Sequence, residues 1–347
     1  MKQKNQSIKN PTLIDVAKLA GVSGKTVSRV INRESRVSPE TRARVQQIIE
    51  EVGYTPNLSA RRLKSRRSFL VAMLYHSEGS SWITDVEHSA VERSMNDRYD
   101  LITKPFSEDD SSGQRSIIDL AKSGSVDGII VTPPCSSGYI VDELIELGIP
   151  IVQIEPSLSD LRVPSVLSNS RQGGFDMTEH LLSLGHRRIG CIVGNAQQDS
   201  SRERLEGYLA ALSQAGIETE PDLIKQGDYS YQSGVSCAQQ LLKLPSPPTA
   251  IFASNDDMAF GAMVAAGQMG ISVPSQVSVA GFDDIQMASR TWPPLTTVNQ
   301  PSSDMAGKAV ELLFEEIEQK SQAPITQRVF PAKLVVREST APPGNAR

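Results

Sequence analysis

The segment at residues 12–32, TLIDVAKLAGVSGKTVSRVIN, constrains the fold more than any other part of the chain. Its first half spaces apolar residues along one face of a short helix and ends at Gly21, which favours a turn. Ser23 then offers an N-cap for a second short helix, whose outer face is polar and basic. Two such helices predict a helix-turn-helix, in which the second helix lies in the major groove of DNA and reads base edges.

The first 68 residues form a separate basic region. They contain 15 Lys or Arg and five Asp or Glu, whereas the whole chain of 347 residues has a net charge of −5. A third helix is predicted from Pro39 to Val52, because Ser38 can cap it and Gly53 can end it. We expect a disordered tail at residues 1–10, a helical DNA-binding domain at 11–56 and a basic hinge or linker at 57–68.

The remainder of the chain alternates between apolar runs and helical stretches. This alternation is typical of doubly wound α/β layers, and the length is sufficient for two of them. Buried parallel strands are predicted at residues 69–74, 128–131, 149–154, 188–193, 250–253 and 277–281. The expected fold class is therefore a small all-α domain followed by a two-lobed α/β domain with two parallel sheets.

The literal sequence resembles a known family. Residues 12–32, 37–42 (VSPETR), 53–57 (GYTPN) and 60–63 (ARRL) resemble the DNA-binding domain of the lactose-repressor (LacI/GalR) family of bacterial transcription regulators. A looser likeness continues to about residue 340. It implies a domain like the periplasmic sugar-binding proteins, with a ligand cleft between its lobes. The expected boundaries are an N-lobe at about 69–168 plus 300–328, a C-lobe at about 169–299 plus 329–340, and a tail at 341–347.

The resemblance also assigns DNA contacts. Gly24 and Lys25 occupy the positions that choose the operator, and Arg29 contacts a base one turn further on. Gly24 has no side chain, so the base beneath it is contacted weakly or through the backbone. Lys25 either donates to guanine O6 and N7 or binds a phosphate, and both readings stay open. Further contacts that fix the register are implied for Leu13, Ser23, Thr26, Ser28 and Asn32, and phosphate contacts near the hinge for Tyr54 and Asn57.

Residues 57–68 resemble the hinge helix of the family, which folds when two subunits meet on DNA. Leu63 either enters the minor groove as an apolar wedge or packs on the body of the protein. Ala60 and Lys64 are assigned to the same DNA contact. The chain ends without an apolar heptad, so we expect a homodimer on a pseudo-palindromic operator.

Polar motifs at strand ends or helix starts match the ligand positions of the family. They lie at residues 200–208, 253–256 and 281–284. Arg204 and Asp283 would bind adjacent ligand hydroxyls, and Asn255 would supply a donor and an acceptor. The alternatives are that Arg204 pairs with a neighbouring glutamate on the helix surface and that Asp283 or Asp284 only caps the next segment.

Other side chains are assigned to the same cleft. Tyr229 would place its ring on the ligand, and Gln300 lies near a crossover between lobes. Tyr75, His76 and Trp82 follow the first strand, where they either contact the ligand from the other lobe or serve the structure.

These features favour a repressor controlled by a small ligand, for which a carbohydrate is favoured and a purine-type corepressor is the alternative. A solute-binding protein is disfavoured because the N-terminus lacks the apolar core of a signal peptide, which also predicts a cytoplasmic location. No nucleophile elbow, P-loop, dinucleotide fingerprint or metal-ligand cluster is present in the sequence, so no enzyme, cofactor or metal is expected. No apolar run approaches the ~20 residues of a membrane span. Three scattered cysteines suit reduced thiols: Cys135, Cys191 and Cys237.

Overall fold

The computed structural model divides the chain into two compact units, Met1–Arg67 and Ser68–Arg347. It describes residues 11–31, 35–55, 65, 67–76, 81–96, 99–106, 110–133, 139–156, 162–318 and 325–344.

The smaller unit contains the predicted helices α1 (Leu13–Ala20), α2 (Gly24–Ile31) and α3 (Pro39–Val52). Thr12 and Asp15 form a capping box at the start of α1, and Gly21 ends the helix with a φ of +61°. Such a left-handed conformation favours glycine because it has no Cβ. The helix-turn-helix prediction is therefore confirmed, and its apolar faces enclose one small core: Val16, Ala17, Ala20, Val27, Val30, Val45 and Tyr54.

The larger unit alternates strands and helices. In chain order they are β1 (Leu70–His76), α4 (Ser81–Asn96), β2 (Asp100–Phe106), α5 (Ser111–Lys122), β3 (Gly128–Val131), α6 (Tyr139–Glu146), β4 (Ile151–Ile154), β5 (Ser165–Ser168), α7 (Ser170–Ser183), β6 (Ile189–Val193), α8 (Asp199–Gln214), β7 (Ile224–Gln226), α9 (Tyr231–Leu242), β8 (Ala250–Ala253), α10 (Asp256–Gln268), β9 (Ser278–Ala280), β10 (Thr297–Asn299), α11 (Ser302–Ile317), β11 (Gln327–Phe330) and β12 (Lys333–Val335).

Two parallel sheets define two lobes. The first lobe has the strand order β11-β5-β4-β3-β1-β2, and the second lobe has the order β7-β6-β8-β9. Their strands pair in parallel, which confirms the doubly wound α/β prediction. The chain passes between the lobes after β5, after β10 and after β11. The antiparallel pair β10–β12 was not predicted from the sequence, and neither were several short strands.

Each lobe is held together by apolar side chains from its sheet and covering helices. In the first lobe α11 packs with α4 on one side of the sheet, and in the second lobe α10 packs with α9. Cys191 and Cys237 are buried free thiols. No helix in the described ranges is both long and apolar enough to cross a membrane.

Two histidines hold the C-terminal segment on the second lobe. His186 Nε2 lies 2.9 Å from the carbonyl oxygen of Ala341 and 3.1 Å from Ser278 Oγ. His180 Nε2 lies 3.1 Å from Thr340 Oγ1. The structural role predicted for these histidines is thus consistent with their contacts.

Candidate functional site

The polar face of α2 is fixed by the start of the helix at Ser23. The Ser23 hydroxyl oxygen accepts a hydrogen bond from the Thr26 backbone N–H at 3.1 Å, and it lies 2.9 Å from Thr26 Oγ1. The opposite face is anchored because Val27 and Val30 are buried in the helical core. The side chains of Ser23 and Thr26 therefore first serve to cap the helix.

Lys25 and Arg29 lie on one side of α2. Lys25 is exposed at the start of the helix, whereas Ser28 and Arg29 are half-buried. Residues four apart are neighbours on a helix surface, so the two cations can approach the same stretch of DNA. The predicted contacts Asn32, Asn57, Ala60, Leu63 and Lys64 lie outside the described residues.

Leu13 and Tyr54 support the helix-turn-helix from within. A Cβ at Gly24 would lie 3.1 Å from Leu13 Cδ2, so α1 approaches the start of α2 closely at this glycine. Tyr54 is 9% exposed and packs with the helical core, and burial raises the pKa of its phenol. Both side chains therefore have a packing role, and their DNA contacts stay predictions.

In the larger unit, Arg204 on α8 lies at the centre of a polar network. Its side chain is 4% exposed. Nη1 donates to the Ser254 carbonyl oxygen at 2.5 Å, and Nη2 donates to Gln300 Oε1 at 2.8 Å. Asp283 Oδ1 lies 3.4 Å from Nη1, and the guanidinium carbon lies 3.6 Å from the centroid of the Phe282 ring. The predicted partners Arg204, Asp283 and Gln300 are thus brought together.

The alternative of a surface ion pair for Arg204 is not what the structure contains. Glu206 instead pairs with Arg202, which lies four residues earlier on the exposed side of α8. Asp284 likewise has a local role, because it accepts from Arg337 Nη2 at 2.6 Å and from Asn299 Nδ2 at 3.1 Å. Asp283, rather than Asp284, is therefore the aspartate that lies beside Arg204.

Glu155 joins the network from the first lobe, and sequence reasoning missed it. It follows β4, and its Oε1 accepts from Gln300 Nε2 at 2.9 Å and from the Ser168 backbone N–H at 2.7 Å. Gln300 therefore receives a hydrogen bond from Arg204 and donates one to Glu155. A continuous chain of hydrogen bonds thus links α8 of the second lobe to the end of β4 in the first.

The backbone around these side chains is held in an unfavourable conformation. Glu155, Tyr229 and Asp283 have φ angles of +49°, +74° and +116°. Non-glycine residues in this region cost about 1–3 kcal/mol each and persist where the surrounding contacts over-determine them. Such residues cluster at ligand sites, so the strain at these three residues agrees with a functional cleft.

The carboxylates outnumber the guanidinium in this part of the cleft. Burial raises the pKa of Asp283 and of Glu155, and the Arg204 guanidinium opposes both shifts. Burial together with the nearby Glu155 raises the pKa of Glu203 to about 7. Each pKa is raised because a buried carboxylate loses hydration that one cation does not replace. When ionised, these groups favour ligands that donate hydrogen bonds.

Tyr229 lies beside Arg204. The Arg204 guanidinium carbon is 5.9 Å from the centroid of its ring, and its hydroxyl oxygen is 3.4 Å from Ser200 Oγ. A Cβ at Gly194 would lie 2.2 Å from the ring, so this glycine makes room for it. The ring therefore lies beside the Arg204 guanidinium, and its contact with a ligand stays a prediction.

Asn255 makes a local hydrogen bond at each end of its amide. Oδ1 accepts from the Met258 backbone N–H at 2.9 Å, and Nδ2 donates to the Tyr229 carbonyl oxygen at 3.0 Å. Asn255 thus caps α10 and holds the strained backbone of Tyr229. A side-chain amide has two N–H donors and two acceptor lone pairs, so the predicted ligand contact of Asn255 stays a prediction.

The contributors expected from the first strand are not brought together by the structure. Trp82 is 8% exposed and packs in the core of the first lobe, which favours the structural alternative over a ligand contact. Tyr75 is half-buried at the end of β1, where it remains a candidate. The side chain of His76 lies outside the described residues.

Comparisons with known proteins agree with this geometry. A family model described as "Bacterial regulatory proteins, lacI family" matches residues 12–57, and one described as "Periplasmic binding protein-like domain" matches residues 178–340. The chain is 33% identical to the HTH-type transcriptional repressor PurR of Pasteurella multocida, over 94% of this chain and 98% of that protein. It is 34% identical to the ribose operon repressor of Haemophilus influenzae over the same shares. The chain belongs to the LacI family of bacterial transcription regulators.

Solved structures of this family have the same architecture. The transcriptional regulator CelR in complex with cellobiose aligns with a TM-score of 0.74 and 31% identity, over 95% of this chain and all of that one. The lac repressor dimer bound to operator and the anti-inducer ONPF aligns with a TM-score of 0.75 and 28% identity, over 96% and 100%. This LacI-family protein is thus a DNA-binding transcription regulator and not an enzyme, which confirms the resemblance of its motifs.

Proposed function

We propose that this regulator is a repressor whose operator affinity is controlled by a carbohydrate bound between the two lobes. The observation that carries the proposal is the buried pair of Arg204 and Asp283 beside the ring of Tyr229. A guanidinium and a neighbouring carboxylate offer a donor and an acceptor to adjacent hydroxyl groups of a sugar. A tyrosine ring offers an apolar face to a sugar ring.

Relatives support a sugar as the ligand class. One similar structure is a complex with cellobiose, and one relative is named a ribose operon repressor. The relatives named PurR favour a purine-type corepressor as the second candidate. A purine base needs flat aromatic surface, whereas the ring of Phe282 is fully buried beneath Arg204 and therefore unavailable to a ligand.

Thermal unfolding with cellobiose, ribose and hypoxanthine tests the ligand class. A ligand at 100 times its Kd stabilises the unit that binds it by about 2.7 kcal/mol. We expect one sugar to raise Tm in the wild type and in Arg202→Ala, which changes an exposed neighbour on the same helix. Arg204→Ala should lose the shift. A shift with hypoxanthine alone would replace the sugar by the purine.

We also propose that Arg29 reads a base edge and that Lys25 contacts either a guanine or a phosphate. The other assigned residues of the helix-turn-helix fix its register on the DNA, with phosphate contacts at Tyr54 and Asn57, and Leu63 opens a central base step from the hinge. Support comes from the positions of Lys25 and Arg29 on one side of α2. A regulator of this kind acts where the chromosome is, in the cytoplasm. Each operator position is replaced in turn by cytosine or thymine, and binding is measured for the wild type and for Arg29→Ala. The base pair that Arg29 reads is the one whose replacement weakens the wild type but not Arg29→Ala.

The second lobe supports assembly as a homodimer. It exposes large apolar side chains, and Trp292 is 89% exposed. Exposed apolar surface of this kind marks interaction sites in soluble proteins. The similar lac repressor structure is a dimer on its operator. We therefore propose that a second copy of the chain covers these side chains: Tyr231, Val264, Met287 and Trp292.

A further inference from the structure

A carboxylate of the second lobe caps a helix of the first lobe. Helix α4 begins at Ser81, and the Ser81 backbone N–H donates to Asp257 Oδ2 at 2.8 Å. Ser81 Oγ donates to Asp257 Oδ1 at 2.9 Å. Asp257 lies in the first turn of α10, 176 residues away in the sequence. Both oxygens of one carboxylate therefore bind the first residue of a helix in the other lobe.

Side-chain caps elsewhere in the described chain are local. Asp110, for example, accepts from Ser112 N at 3.0 Å and from Ser112 Oγ at 2.7 Å, which is the same pair of bonds made within one lobe. A local cap is indifferent to the arrangement of the lobes. The cap of α4 is lost when the lobes separate, because its donor and its acceptor then move apart.

Both ends of this contact are firmly held. On the second lobe, the neighbouring Asp256 accepts from Thr297 Oγ1 at 2.5 Å and from the Ile285 backbone N–H at 2.9 Å. On the first lobe, Trp82 follows Ser81 directly and is buried in the core. With each partner held by its own lobe, the two hydrogen bonds require the lobes to be as close as they are in this structure.

Charge adds to the contact. A carboxylate at the start of a helix is favoured by the partial positive charge of the unpaired N–H groups there. In an open form, water would solvate both that helix end and the Asp257 carboxylate, and their mutual attraction would be lost. The contact therefore contributes to the closed form without requiring any ligand to touch Asp257.

We propose that Asp257 is a positioning residue that favours the closed arrangement of the two lobes and so sets how readily the effector cleft closes. The consequence for signalling rests on the effector site proposed above. Asp257 lies two residues after Asn255, so closure of the cleft and capping of α4 involve the same turn of α10.

Backbone hydrogen exchange of the full-length protein, measured without added effector, tests the proposal. It distinguishes a change in lobe closure from local fraying at the start of α4. In Asp257→Ala we expect exchange to become about tenfold faster at 200–204 and 281–284, which lie on the second lobe and outside α4, and this is equivalent to about 1.4 kcal/mol. The matched control Asp110→Ala loses the same type of cap within one lobe, so only 111–114 should exchange faster. Faster exchange of Asp257→Ala confined to 81–85 would overturn the proposal.

Milder variants protect the test against misfolding. Ser81→Ala removes one of the two bonds and Asp257→Asn removes the charge, so each should accelerate the same segments less than Asp257→Ala does. If both leave exchange at 200–204 and 281–284 at the wild-type rate, Asp257 does not position the lobes. Because no effector is added, the result is independent of whether cellobiose or ribose binds.

Discussion

The position of Arg204 depends on a close approach of α7 and α8. A Cβ at Gly174 would lie 2.4 Å from the Arg204 carbonyl oxygen, and one at Gly207 would lie 2.1 Å from the Arg171 carbonyl oxygen. Neither glycine has a positive φ, so neither is required by the local backbone. Their function is to let two helix backbones touch, and this contact sets how far Arg204 reaches into the cleft.

Gly174→Ala should therefore destabilise the larger unit. Ordinary contacts begin near roughly 3.5 Å, so the helices must separate by about 1 Å at Arg204. Overpacking of this kind costs about 1–3 kcal/mol, which exceeds the ~1 kcal/mol that alanine gains over glycine inside a helix. The atoms that a Cβ at Gly174 would meet are backbone atoms, which cannot rotate away, so we take the upper part of the overpacking range, about 2–3 kcal/mol. The net loss is then about 1–2 kcal/mol, which lowers Tm by about 2–8 °C in a unit of this size.

Thermal unfolding followed by circular dichroism measures this loss. Gly307→Ala is the matched control, since it lies in α11 and a Cβ there has no atom within 4 Å. The control should raise Tm slightly, because alanine restricts the unfolded chain. If Gly174→Ala and Gly307→Ala unfold at the same temperature, the helices have room for a methyl group and the reasoning is refuted.

Three further predictions test the cleft and the two interfaces. The folded pKa of Glu203 is about 7 against an ordinary value of 4.5, so the folded protein binds its proton more tightly and loses stability as pH rises through this window. Glu203→Gln should therefore raise Tm at pH 8 more than at pH 5; an equal change at both would contradict the raised pKa. Trp292→Ala should weaken self-association by at least about 2 kcal/mol in sedimentation equilibrium if it is an interface hot spot, and an unchanged dimer would place the interface elsewhere. Lys25→Ala should cost about 1–3 kcal/mol at one base pair if Lys25 reads guanine, whereas a uniform loss with a smaller salt dependence would assign it to a phosphate.

The helical domain could be predicted from the sequence because its boundaries are local. Ser38, Pro39 and Gly53 mark the ends of α3, and the structure places them at those ends. Caps and left-handed turns depend on side chains within a few residues of each other, so the sequence carries the whole signal. The buried strands were found for a similar reason, since a strand covered on both faces is an uninterrupted apolar run.

The strands β2, β10, β11 and β12 lack that signal. Lys104 and Pro105 interrupt β2, which lies at one edge of the first sheet, and Val329 of β11 is 62% exposed at the other edge. Edge strands are set by what lies next to them in space. Glu155 and Asp257 were missed for the same reason, because their partners are 145 and 176 residues away.

The protein's own groups satisfy Arg204, and this determines how a ligand can act. An effector gains little by adding a hydrogen bond to a donor that must first give one up. It gains most where an acceptor is poorly paired, as at Asp283, whose contact with Arg204 is 3.4 Å long. A ligand hydroxyl placed there draws on Arg204, whose other partner Gln300 also holds Glu155 of the first lobe. The effector site proposed above would then couple to the hydrogen bonds between the lobes. By linkage, an operator that favours one arrangement of the lobes would change the affinity for the ligand by the same factor.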